Sequence, residues 1–191
     1  MLTAANLITV FRIALVPAFV VAFMYMSDGP SILRWAVFFI FTGAAILDAV
    51  DGWVARAFNQ KTQLGAFLDP LADKLLMTMA YILSVKYGMP LYVTILVVSR
   101  DMLIVMGWAS LHYFERDARI QPLWISKFNT TCQFVTAILV LLDIALTGHA
   151  AAGVPQGLLQ AAWIITVGTT LTSGGACFAE WYKRMGGFTR G

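Results

Sequence analysis

Long apolar stretches alternate with short polar breaks along almost the whole chain. Six stretches reach the ~20 residues that a helix needs to cross a ~30 Å hydrocarbon layer, at roughly 7–26, 32–54, 67–86, 90–113, 124–147 and 156–182. The breaks carry turn and polar chemistry: Ser27-Asp28-Gly29-Pro30, Asn59-Gln60-Lys61, Gly88-Met89-Pro90, Glu115 to Pro122, and Gly148 to Pro155. This pattern predicts an all-α integral membrane protein, a bundle of six transmembrane helices. No Ser/Gly-rich or charged linker separates the stretches and no internal repeat stands out, so residues 1–191 are expected to form one domain. The first stretch is long enough for a full span, with Pro17 inside it, and reads as mature structure rather than a cleaved signal.

Composition agrees, with 60% hydrophobic and only 12% charged residues; soluble domains carry about 25% charged residues. The few charges are unevenly placed. Arg56 and Lys61 follow the second span, Arg116 and Arg119 the fourth, and Lys183, Arg184 and Arg190 the sixth, while the opposite loops offer Arg34 and Lys86. Positive charge is retained on the cytoplasmic side, so both termini and the second and fourth loops are expected there. The net charge of +3 suits anionic lipid headgroups, but no module for nucleic acid accompanies it. Cys132 and Cys177 fall inside expected spans and read as small packing groups, with neither a disulfide nor a zinc site implied.

Against this apolar background, residues 47–76 read LDAVDGWVARAFNQKTQLGAFLDPLADKLL. On helices, Asp48 and Asp51 are three residues apart and Asp69 and Asp73 four apart, so each pair shares a face. Ionised and unpaired at membrane depth, four such carboxylates would repel one another, each losing several kcal/mol of hydration. Arg56 and Lys74 offer partial compensation; hard divalent cations suit an all-oxygen set better, magnesium or manganese first and calcium after them. Two ions held about 4 Å apart can clamp the attacking and leaving oxygens of a phosphoryl displacement. Gly52 and Gly65 would let a bulky ligand approach the backbone and Arg56 would pair with phosphate oxygens, although each residue alone reads as helix packing or a topology charge.

Together the residues read Asp-x2-Asp-Gly-x2-Ala-Arg-x8-Gly-x3-Asp-x3-Asp, which resembles the defining motif of the CDP-alcohol phosphatidyltransferases at all eight fixed positions. The resemblance implies six transmembrane helices, a homodimer, and a polar cavity open to the cytoplasmic leaflet. It further implies that Asp48, Asp51, Asp69 and Asp73 hold two divalent ions, Mg2+ or Mn2+, and that Asp73 takes the proton of the incoming hydroxyl. Gly52, Ala55, Arg56 and Gly65 would line the cytidine diphosphate pocket. Upstream, Asn6, Thr9 and Arg12 in NLITVFR are spaced by three; similar family members carry Asn-x2-Thr-x2-Arg there, which adds Asn6 and Thr9 to the nucleotide end of the site.

The donor implied is CDP-diacylglycerol; the acceptor is argued from the second half of the chain. Bacterial phosphatidylglycerophosphate synthases, which accept glycerol 3-phosphate, tend to show Gly-Lys-x-Lys-Thr at the start of the fifth span. Here Lys127 and Thr130 match, but Ser126 and Asn129 stand for the glycine and the second lysine. A phosphate monoester carries close to two negative charges and a lipid phosphodiester one, so losing a cation favours the diester. The run ARIQPLWISKFNTTCQ, residues 118–133, is similar to that of CMP-forming cardiolipin synthases, which accept phosphatidylglycerol. The sequence therefore favours cardiolipin and CMP as products, with glycerol 3-phosphate as the alternative acceptor. Arg119 and Lys127 would bind the acceptor phosphate; Arg100, in SRD at 99–101, is grouped with them and, paired with Asp101 or with the metal cluster, would brace the cavity, a structural intramembrane ion pair being the alternative. Asp143 and His149 lie towards the outer face and read as capping or surface groups.

A cation or proton transporter is the rival from another class. It would want acids at the bilayer midplane and paired halves, neither of which appears. The motif-bearing first span, with no transit peptide ahead of it, points to a bacterial inner membrane, with the active site cytoplasmic.

Overall fold

The computed structural model describes the backbone of residues 4–27, 30, 32–58, 63–114, 124–147 and 153–188, and the side chains of residues 13–27, 30, 32–47, 74–106, 124–147 and 153–179. Among the described residues the chain is all helical. Its α-helices are α1 (Ala4–Tyr25), α2 (Ile32–Phe58), α3 (Gln63–Ser84), α4 (Leu91–Phe114), α5 (Trp124–Thr147) and α6 (Gln156–Phe188), of 22, 27, 22, 24, 24 and 33 residues.

The stop between α3 and α4 shows how the polar breaks work. A 3-10 turn, Val85–Tyr87, ends at Gly88, whose φ of 98° lies in the left-handed region open to glycine. Gly88 N–H donates to the Val85 carbonyl at 3.4 Å and Met89 N–H to that of Ser84 at 3.2 Å, satisfying carbonyls at the helix end. Pro90 then opens α4, its carbonyl accepting from Val93 at 3.1 Å. Pro17 stays inside α1 without ending it, as prolines in membrane helices commonly do.

The contacts divide the chain into two compact units, 1–89 with 137–155, and 90–136 with 156–191. In the first, α1 packs on α2 and α3, and α2 on α3. Its core is apolar: Phe19, Phe23 and Met26 of α1, Val37, Phe41 and Ala44 of α2, and Met77, Ala80 and Tyr81 of α3, each set at helical spacing. Phe19 and Phe41 rings lie 6.0 Å apart, and Phe23 meets Tyr87 edge-on at 5.5 Å. Near the end of α5 in this unit, Asp143 Oδ1 accepts the Val154 N–H at 2.8 Å.

In the second unit, α4 packs on α6 and hydrogen bonds join α5 to α6, so the seams along α6 are polar. Arg100 and Asp101 of α4, Asn129, Gln133 and Thr136 of α5, and Thr166, Thr170 and Ser173 of α6 are all buried.

Among the described residues, α5 and the Gln156–Ala179 part of α6 are long and apolar enough to cross a membrane, with mean hydropathies of 1.8 and 1.2. Only 39% and 17% of those windows are buried within the protein, whereas a core helix of a soluble domain would be mostly covered. Large side chains such as Ile32, Met102, Leu103, Phe128 and Ile164 are exposed, the state expected of lipid-facing positions. Both cysteines are free.

Candidate functional site

The motif falls on two helices of the first unit. Asp48, Asp51, Gly52, Ala55 and Arg56 lie on the last turns of α2, and Gly65, Asp69 and Asp73 on the first turns of α3. Both segments are helical through the motif, so the intervals of three and four keep each aspartate pair on one face of its helix. Asn6 and Thr9 lie on the first turns of α1, which packs on α2 and α3. The side chains of these ten residues are outside the described residues, as is the whole of Arg119. Among the described residues no three His, Cys, Asp or Glu side chains gather to hold an ion. The donor set still fits a divalent cation: four hard oxygen donors in two helical pairs, on neighbouring helices of one compact unit.

The second unit carries the other candidates. Arg100 of α4 is 4% exposed and held from three helices. Its Nη1 donates to Asp101 Oδ1 at 2.7 Å, and its Nη2 to Ser126 Oγ of α5 at 2.7 Å and Ser173 Oγ of α6 at 2.6 Å. A buried guanidinium alone would be costly; here a carboxylate balances the charge and two hydroxyls accept from Nη2, while Nε has no hydrogen-bond partner among the described residues. The geometry is that of a buried ion pair with Asp101 as the counter-ion.

Lys127 is next to Ser126 but exposed, its Nζ 5.5 Å from the ring centre of Trp124, a cation–π arrangement at the start of α5. Asn129 is fully buried, its Oδ1 accepting from Thr170 at 3.0 Å. Its Nδ2 has no hydrogen-bond partner among the described residues. One further step along the seam, Thr136 and Thr166 hydroxyls meet at 2.8 Å.

Sequence reasoning passed over Ser173, Thr136, Thr166 and Thr170. Their signal was present: Ser126, Asn129, Gln133 and Thr136 recur at three and four residues along α5, and Thr166, Thr170 and Ser173 along α6. A polar stripe at helical period inside an apolar helix marks a helix–helix seam.

Comparison with known proteins bears on both halves. Residues 2–172 match the model of the family described as CDP-alcohol phosphatidyltransferase, a span that runs through both compact units. A probable phosphatidylglycerophosphate synthase of Mycobacterium tuberculosis is 35% identical over 165 residues, 85% of this chain and 76% of the relative. Two proteins named CDP-diacylglycerol--glycerol-3-phosphate 3-phosphatidyltransferase are also similar. That of Haemophilus influenzae is 33% identical over 131 residues, 67% of this chain and 69% of its own, and that of Escherichia coli (strain K12) 35% over 136 residues, 68% and 71%.

Proposed function

This chain belongs to the CDP-alcohol phosphatidyltransferase family, and from that premise we propose that it transfers the phosphatidyl group of CDP-diacylglycerol to a hydroxyl of glycerol 3-phosphate, releasing CMP. What carries the choice of acceptor is that one relative described above is named a probable phosphatidylglycerophosphate synthase and two a CDP-diacylglycerol--glycerol-3-phosphate 3-phosphatidyltransferase, each matching two thirds or more of both chains. The sequence favoured phosphatidylglycerol; the relatives support its alternative.

In the proposed reaction the acceptor hydroxyl attacks the phosphorus that bears diacylglycerol. The new P–O bond forms as the bond to the CMP phosphate oxygen breaks in line, and the hydroxyl proton passes to the carboxylate of Asp73. Asn6, Thr9, Gly52, Ala55, Arg56 and Gly65 bind and orient the cytidine diphosphate, while Lys127 and Arg119 hold the acceptor's phosphate. The family is generally divalent-cation dependent. Asp48, Asp51, Asp69 and Asp73 would hold two Mg2+ or Mn2+ ions, whose bound positive charge offsets the negative charge that develops on the phosphoryl and leaving-group oxygens.

A second reading keeps phosphatidylglycerol as acceptor and cardiolipin as product. The observation favouring it is that Asn129, where the synthase pattern has its second lysine, is uncharged and tied to Thr170 inside the seam. Lys127 is then the one cation that residues 124–133 offer, which suits a singly charged phosphodiester.

Purified protein given CDP-diacylglycerol, Mg2+ or Mn2+, and either acceptor separates the two. Metal-dependent CMP release with glycerol 3-phosphate and a phosphatidylglycerophosphate product is expected. Release with phosphatidylglycerol alone transfers the assignment to the second reading, and release with neither removes both in favour of the transport reading.

The same proposal places the enzyme as one domain and a homodimer, spanning a bacterial inner membrane six times with its termini and active site cytoplasmic. Supporting it are six helices of at least 22 residues and the basic residues after the second, fourth and sixth spans.

A further inference from the structure

Arg100 is too firmly engaged to serve as a ligand for the acceptor. Its charge is balanced by Asp101, Nη2 is shared between two hydroxyls on different helices, and the residue is 4% exposed. Reaching a substrate would mean breaking bonds of 2.6 and 2.7 Å to α6 and α5. What those bonds do accomplish is local. Ser126 lies in the first turn of α5, two residues after its start at Trp124, where the helix has fewest contacts of its own to fix its rotation and height.

Lys127 follows Ser126 directly and points to the opposite kind of surroundings, exposed beside the Trp124 ring. One residue of helix is a turn of about 100° and a rise of about 1.5 Å, so pinning Ser126 fixes where the Lys127 ammonium is presented. A long flexible lysine otherwise spreads its charge over many rotamers.

We infer that Arg100 is a positioning residue of the acceptor site: by clamping Ser126 of α5 to Ser173 of α6 it sets the first turn of α5 and so aims Lys127 at the acceptor's phosphate. The inference rests on the proposed reading of Lys127 as an acceptor ligand. It assigns Ser126, Ser173 and Asp101 to the same device, Asp101 as the counter-ion that keeps the guanidinium in place.

The test is steady-state kinetics on the purified full chain. CDP-diacylglycerol and glycerol 3-phosphate are varied separately, with phosphatidylglycerol in place of glycerol 3-phosphate if only that lipid is turned over. Ser126→Ala and Ser173→Ala each remove one charge-assisted bond and are expected to raise the acceptor KM by roughly three- to tenfold, leaving the donor KM and kcat within about twofold. Ser126→Thr keeps the hydroxyl and is expected to restore the acceptor KM. Thr136→Val, further along the same seam, should leave acceptor KM at its wild-type value.

An unchanged acceptor KM in both serine variants, with Lys127→Ala raising it, overturns the clamp and leaves the acceptor reading standing. No effect of Lys127→Ala overturns the acceptor reading itself. Parallel losses in kcat and both KM values, matched by Thr136→Val, would assign the seam to structure alone and likewise overturn the clamp. Should Ser126→Ala not yield folded protein, Ser173→Ala carries the comparison.

Discussion

Adding one methyl group at Gly153 should destabilise the protein through a single carboxylate. A Cβ built there would fall against Asp143 Oδ1 well inside contact distance and 2.9 Å from Thr147 Cγ2. The carboxylate is not free to swing aside at no cost, because the same oxygen accepts the Val154 N–H at 2.8 Å. Displacing it forfeits a hydrogen bond to a charged group, about 1.5–3 kcal/mol. Alanine recovers about 0.4–1 kcal/mol by stiffening the unfolded chain, so Gly153→Ala should cost about 1–2 kcal/mol net. Asp143→Ala loses the same bond outright and should cost about 1.5–3 kcal/mol.

In the double variant that bond is lost once, not twice. Its destabilisation should fall short of the sum of the two single changes by about 1.5–3 kcal/mol. Equilibrium unfolding in mixed detergent micelles, followed by tryptophan fluorescence across the four proteins, measures the coupling directly. Additivity to within about 0.5 kcal/mol would refute the reasoning, since it would mean that residue 153 and the carboxylate do not compete for one space.

Gly88→Ala places a side chain at φ 98° and should cost about 1–2 kcal/mol in the same unfolding assay, without altering kcat. Thr136→Val should destabilise by about 1 kcal/mol by leaving the Thr166 hydroxyl without that partner, Thr166→Val by less because the Thr136 hydroxyl keeps the Ala162 carbonyl at 3.4 Å, and the double change should cost less than their sum. Asp73→Asn should abolish CMP release in a protein whose unfolding curve is unchanged; retained turnover would remove it as the proton acceptor. Chelation with EDTA should stop the reaction and added Mg2+ or Mn2+ restore it, and activity indifferent to both would contradict the carboxylate cluster as a cation site.

Much was legible in the chain alone. Helix positions follow from stretches of apolar residues closed by Gly, Pro and charge, because those residues act on the backbone within a turn or two of themselves. Gly88 and Pro90 end one helix and start another for reasons contained in three residues. The aspartate motif is likewise local: intervals of three and four become one helical face wherever the helix forms, and the family assignment needed nothing more.

What the pattern could not reveal is which face of each helix is covered. In a soluble helix the buried face is apolar and the free face polar; here lipid is as apolar as the core, so hydrophobicity does not separate them. Only the tertiary structure decided that Phe19, Phe41 and Tyr81 turn inward while Val21, Phe39 and Ile82 turn outward. It alone brought Arg100 to Ser126 and Ser173, 26 and 73 residues away along the chain, and Asp143 to the Val154 N–H, 11 residues on. Those partners depend on how helices are rotated against one another, a property of many packed side chains at once. The sequence determined the family and its motif, because the spacing of each aspartate pair is written along one helix; the packed helices decided what holds Arg100 and Asp143 in place.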